Sequence, residues 1–195
     1  MKMKIKCLMF FLLLALSLTF SGRGLAQSWA FKTNLANWAL GASPNLTVEK
    51  AVALRYSVGI KGSYNWFWSK ENQRMKHWMV KPEVRYWPQG SFTGHSFALQ
   101  GMVAQYNFGG VKPPFGLYKN LRDHRYEGMG YGLGVGYNYL WRFGARSGVE
   151  LGLDLGYVLF DYEKFKCVKC GTLMEKGVYH YFGLTGLSLS YVFFL

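Results

Sequence analysis

Hydrophobic and polar positions alternate with a period of two through most of this chain. From Gly128 to Trp141, Met129, Tyr131, Leu133, Val135, Tyr137, Tyr139 and Trp141 are interleaved with five glycines, Asn138 and Leu140. From Val149 to Phe160, Val149, Leu151, Leu153, Leu155, Tyr157 and Leu159 alternate with Glu150, Gly152, Asp154, Gly156, Val158 and Phe160. Successive side chains of a strand point to opposite faces, so the pattern predicts β-strands with one bulky apolar face and one face of glycine and charge. A soluble sheet would need a polar face able to meet water over a broad area, and the glycine face offers little. The pattern fits the inverse arrangement, with lipid outside and a narrow polar interior.

Eight strands are predicted on this basis: about 31–40, 45–52, 54–65, 77–87, 96–108, 128–141, 149–160 and 178–195. Pro82 falls inside the fourth, where a bulge is expected to absorb the missing hydrogen bond. Short connections near Ala53, at 88–94 and at 142–147 fall on one side, with longer polar segments at 66–76, 109–125 and 161–177 on the other. The expected fold is an eight-stranded antiparallel transmembrane β-barrel of the outer-membrane type, residues 27–195. Residues 1–26 are expected to be a cleaved signal peptide. Lys2, Lys4 and Lys6 precede an apolar core from Cys7 to Phe20, and Gly24-Leu25-Ala26 supplies small residues at a cleavage site.

Charge sharpens the picture. A Lys or Arg facing lipid at mid-bilayer costs about 2–4 kcal/mol. Arg55, Lys61, Lys81, Glu83, Arg85, Glu150 and Asp154 all share parity with the glycine or serine faces, and Lys32 and Glu49 fit there too. Lys50 falls on the apolar side near a strand end. A narrow eight-stranded barrel is filled by its own side chains. These groups are therefore expected to form an ionic lumen network of five basic and four acidic groups in a closed barrel. Aromatics near strand ends predict two interfacial belts: Trp38, Tyr64, Trp66, Trp68, Trp78, Tyr106 and Tyr157 on one side, Tyr56, Trp87, Trp141 and Tyr191 on the other.

Several runs together resemble a known family. They are His77-Trp78 with Pro82-Glu83-Val84-Arg85-Tyr86-Trp87, Gln105-Tyr106-Asn107 before Gly109-Gly110, and Arg125-Tyr126-Glu127-Gly128. Lys32-Thr33-Asn34, Pro44-Asn45-Leu46, Asp161-Tyr162 with Cys167-Val168-Lys169-Cys170-Gly171, and Tyr181-Phe182-Gly183 extend the match. In combination they look like domain of unknown function 3575, small outer-membrane barrels of the Bacteroidota. The resemblance implies a location and a fold. It carries over no catalytic residue, and some family members look to be encoded beside fimbrial or other surface components.

The candidate chemistry is sparse. Cys167 and Cys170 are the only cysteines after residue 26. Zinc wants about four ligands and two cysteines supply half, so a disulfide pinning an outer loop is expected. His77, His95, His124 and His180 form no evident pair with a serine nucleophile, because adjacent His95 and Ser96 point to opposite faces of a strand. No enzyme activity, cofactor or metal is expected. The long loops carry a basic excess, which suits lipopolysaccharide phosphates. Lys112, Phe115, Lys119, Arg122 and Arg125 are the candidate contact residues in the loop at 109–125. Nucleic acid is a poor partner, because the aromatics belong to lipid-facing strands. The expected role is a structural or interaction protein of the cell envelope, in surface-appendage or envelope assembly, with contacts made by the outer loops. A lipid-modifying enzyme and a narrow channel are the alternatives.

Overall fold

The computed structural model describes residues 28–41, 43–65, 69–70, 73–110, 123–169 and 171–195. The expected signal peptide lies outside the described residues. Eight antiparallel strands close into a ring: β1 (Trp29–Asn34), β2 (Asn45–Ala53), β3 (Tyr56–Asn65), β4 (Gln73–Tyr86), β5 (Gly94–Gly109), β6 (Arg125–Phe143), β7 (Ser147–Phe165) and β8 (Leu173–Phe194). Neighbours in sequence pair around the ring, and β1 closes it against β8, with Phe31 opposite Phe193. A two-residue strand, Ser69–Lys70, folds back on Gln73 and Arg74 at the start of β4. No helix among the described residues is long and apolar enough to cross a membrane.

The alternation sorts the two faces as the side-chain period demands. Tyr131, Leu133, Val135 and Tyr137 on β6 and Leu151, Leu153, Leu155 and Tyr157 on β7 face outward, and Leu133 is 72% exposed. The opposite positions hold Gly130, Gly132, Gly134, Gly136 and Asn138 on the inside. A Cβ added at Gly136 or at Gly186 would fall 2.6 Å from a carboxylate oxygen of Asp154. These glycines therefore give the Asp154 side chain its room, and a larger residue there would push it from its site.

Several boundaries depart from the sequence pattern. The first strand ends at Asn34, and the next seven residues form a short helix, α1 (Leu35–Gly41). Leu35, Ala36, Ala39 and Leu40 are good helix formers. The Asn34 side chain accepts a hydrogen bond from the Ala36 amide at 3.0 Å, capping the helix start. Asn34 also accepts from the Leu189 amide, at 3.2 Å, so one residue ends the strand, starts the helix and ties both to β8. Asn34→Ala is expected to lower stability by about 1 kcal/mol, the usual worth of an N-cap, read as a shifted denaturation midpoint.

Pro82 produces no bulge. The β4–β5 ladder lapses at Lys81 and Pro82 and resumes in the same register, with Val80 opposite Val103 and Glu83 opposite Gln100. Gly101 lies across the gap and leaves the proline ring room, 3.6 Å from where a Cβ would be. On the other edge of β4, Pro82 keeps its place opposite Ile60. The strands β6, β7 and β8 are also longer than the pattern suggests. The segment expected to be a loop at 161–177 is mostly strand, and only 166–172 connects β7 to β8.

Candidate functional site

The inward residues form two ionic tiers. The first brings together β1, β2, β4 and β7. The Lys32 ammonium lies 2.6 Å from a Glu49 carboxylate oxygen and donates to Glu150 at 2.7 Å. Arg85 Nη1 donates to both Glu150 oxygens at 2.9 Å, and Arg85 Nε donates to Glu83 at 2.9 Å. Glu49 accepts the Ser57 hydroxyl, and Ser57 in turn accepts the Trp87 indole N–H at 2.8 Å. Glu150 is 2% exposed and Glu49 fully buried. In the second tier Lys81 donates to Asp154 at 2.7 Å. Lys61 shares the inward parity of Ser57 and Ser63 and lies within electrostatic range of Lys81, Asp154, Glu83 and Arg85.

Arg55 is not part of this set. It sits exposed in the turn between β2 and β3. The strand pair ends at Ala53 and Tyr56, one step earlier than its parity requires. Its removal leaves Lys32, Lys61, Lys81 and Arg85 against Glu49, Glu83, Glu150 and Asp154, so the interior is neutral rather than basic. The first tier has one excess carboxylate and the second one excess ammonium. Each tier thus supplies the charge that the other lacks.

Trp87 is a second correction. It faces inward instead of joining an interfacial belt, and it is fully buried with Phe92, Phe194, Ala30, Ala51, Leu140 and Val192. The Trp87 and Phe92 rings meet edge-on at 5.8 Å, and Phe92 and Phe194 at 5.6 Å. The connection 87–93 folds under the ring, its Ser91 amide bonded to the Leu54 carbonyl at 2.7 Å. This apolar plug closes the short-turn end directly beneath the first ionic tier. The parity signal was present in the sequence, since Trp87 continues the inward row Lys81, Glu83 and Arg85. Phe92 gave no such signal, because a turn has no period. Higher up, the void between Lys81, Gln100, Met102, Gly132, Val158 and Thr185 measures about 10 Å³. That is space for roughly one water.

Of the belt aromatics, Tyr56, Trp141 and Tyr191 are exposed near the short-turn end, and Trp38, Tyr64 and Tyr157 toward the other. Trp66 and Trp68 lie outside the described residues. Lys50 projects outward and its ammonium sits 5.0 Å from the Trp29 ring centre. That contact lets an outward-facing parity carry a cation at a strand end.

The loop candidates are mostly beyond description: Lys112, Phe115, Lys119 and Arg122 lie outside the described residues. Arg125 is not a solvated loop cation. It is the first residue of β6, is buried, and stacks 3.9 Å from the Phe165 ring centre, with Nε 3.7 Å from Glu127. Val168 is buried beside it and reaches Gly109. Cys167 is disulfide-bonded, and Cys170 lies outside the described residues. Three of the four histidines meet aromatics. His180 Nδ1 contacts the Tyr157 hydroxyl, His95 Nδ1 lies 2.6 Å from the Tyr137 hydroxyl, and His77 packs edge-on to Phe108.

On the outside of the wall, a groove of about 490 Å³ near the long-hairpin end is lined by Gln105, Asn107, Glu127, Asp161, Glu163 and Lys176 among others. Asn107 donates to Glu127 at 2.6 Å, and Lys176 pairs with Glu163 at 2.5 Å. The bond to Glu163 raises the Lys176 pKa and holds it charged; the bond to Glu175 raises that of the Tyr162 phenol. Among the described residues no group of His, Cys, Asp and Glu could hold a metal ion.

Fold and interior together define a class: a closed antiparallel ring, apolar outside, with a neutral ionic filling. The chain belongs to the family described as protein of unknown function (DUF3575), whose model matches residues 8–195. No curated protein and no solved structure matches it.

Proposed function

We propose that this protein is a bacterial outer-membrane β-barrel of eight strands that serves as a structural or interaction component of the cell envelope. It would reach that membrane by a signal peptide at 1–26. The observation that carries the reading is the inversion of the wall. Leucine, valine and tyrosine face out along β3 to β8, while lysine, arginine and glutamate are paired inside. Lipid is the solvent in which that order is stable. The exposed basic residues at the two ends suit phosphates of lipid and lipopolysaccharide. Surface or fimbrial proteins are the candidate partners, and the strands that stand beyond the membrane would present the contacts.

The plug and the ion pairs count against a channel, because an ion would have to pass both Trp87–Phe92–Phe194 and the Lys32–Glu150–Arg85 cluster. The purified protein is expected to stay silent in planar bilayers. The location itself is tested by extraction and electrophoresis. The chain should need detergent to leave the membrane, should begin at Gln27 by mass spectrometry, and should run faster unheated than boiled. A mature chain that is soluble and monomeric without detergent would end the reading.

A further inference from the structure

The outward face changes character where the apolar wall ends. Val103, Tyr131 and Leu159 form the last wholly apolar row across β5, β6 and β7. In the next outward row Gln105, Met129 and Asp161 are neighbours, and in the row after it Asn107, Glu127, Glu163 and Lys176 lie side by side on four strands. These two rows line the groove of about 490 Å³. The row beyond is closed. Arg125 and Phe165 are buried there, and Val168 folds back over the outer face, 3.3 Å from where a Cβ on Gly109 would be. Floor and roof of the groove are thus built from described residues.

The lining excludes several classes of ligand. Apart from two tyrosines, Met129 is its only apolar side chain, so an apolar ligand would strip water from polar groups and leave them without bonds. Glu127, Asp161 and Glu163 outnumber Lys176, and Arg125 in the roof offsets only one of them, with Nε 3.7 Å from Glu127. The remaining negative charge repels phosphates and carboxylates, which the basic ends of the ring suit better. The carboxylates do not gather as a metal shell. A ligand rich in hydroxyl groups matches what is left. Each hydroxyl donates once and accepts twice. The upper row offers amide, carboxylate, carboxylate and ammonium in turn, so donors flank acceptors. Gln105 is held by the Trp78 indole, which donates to its oxygen at 2.7 Å and leaves the amide nitrogen as a further donor. The volume lies within the roughly 300–1,000 Å³ of small-molecule sites.

We propose that this groove binds a short, uncharged saccharide. The proposal rests on the outer-membrane reading, which places the groove at the height where hydrocarbon gives way to headgroups. The sugar comes either from a soluble glycan or from the head of a glycolipid. Asp161 and Glu163 accept its hydroxyl protons, and Lys176, Asn107 and Gln105 donate to its oxygens.

The test uses the full mature chain, labelled with fluorescein, in a sugar-free detergent at physiological ionic strength. The probe is a printed array of neutral, phosphorylated, sulfated and carboxylated oligosaccharides. Neutral members should retain the protein. Asp161→Ala combined with Glu163→Ala should weaken that retention roughly tenfold or more, because a site built for hydroxyls depends on its acceptors. Arg55→Ala, at the other end of the ring, should not. The heat-dependent gel shift verifies that the double variant is folded, and Asp161→Asn with Glu163→Gln, which keep the side-chain shapes, should weaken retention in the same direction. Retention of no neutral sugar, retention confined to the anionic sugars, or equal retention by the folded variants overturns the proposal. The best neutral sugar is then titrated by calorimetry, free and as its alkyl glycoside. Tighter binding of the free form assigns the site to a soluble glycan, and tighter binding of the glycoside assigns it to a glycolipid. Detergent dependence is scored separately. A detergent-requiring chain that ignores neutral sugars sinks the saccharide site alone, whereas a soluble chain sinks the location.

Discussion

Replacing Glu150 with alanine should cost about 3–5 kcal/mol, the usual penalty for removing one partner of a buried ion pair. Glu150 is the group that joins Lys32 to Arg85, taking 2.7 and 2.9 Å bonds from the two. Without it Glu49 and Glu83 must hold both cations, and the interior acquires a net positive charge. The surrounding wall is rigid, so neither cation can turn to water. Glu163→Ala is the matched control, since its pair with Lys176 is well exposed and such pairs contribute about 0–1 kcal/mol. The measurement is the temperature at which the folded gel band converts to the unfolded one. Equal midpoints for Glu150→Ala and the wild type would mean that the interior pairs contribute nothing to cohesion.

Phe92 should give the second large effect, with a diagnostic order of variants. Its ring fills the plug between Trp87 and Phe194, and Phe→Ala at a buried site costs about 3–5 kcal/mol. Its backbone, however, has φ of 63°, a left-handed conformation that disfavours any residue with a Cβ. Phe92→Ala loses the ring and keeps the backbone cost. Phe92→Gly loses the ring but relieves roughly 1–2 kcal/mol of it. Glycine should therefore be the milder substitution, the reverse of the order in a regular strand. Denaturant midpoints of the two variants decide it, and a lower midpoint for Phe92→Gly would show that the turn is not strained.

Much of this architecture is legible from parity. Alternation in β6 and β7 assigns the inward and outward faces, and it assigns Lys81, Glu83, Arg85, Glu150 and Asp154 to one side of their strands. The failures have a common cause, which is that parity holds only while pairing continues. Arg55 belongs to a turn, so its parity with Ser57 carried no information. Asn34 ended a strand whose apolar residues continued, because a side-chain cap offered the next turn of chain a helix. Arg125 precedes the alternation that begins at Gly128, so it reads as loop, yet stacking on Phe165 lets its guanidinium sit in a buried place. The plug required knowing that a turn folds under the ring, a long-range fact that no local period encodes.

The formal charge of the chain is +13, of which Lys2, Lys4, Lys6 and Arg23 fall within residues 1–26. Because the filling of the ring cancels itself, the surplus carried by the described residues gathers toward its two mouths: Arg55, Arg142 and Arg146 around one, Lys166, Lys169 and their neighbours around the other. An ion-exchange resin would thus sense these two cationic collars rather than the filling between them. Swapping a paired lysine of the filling for arginine should leave the elution salt unchanged, while trimming either collar should move it.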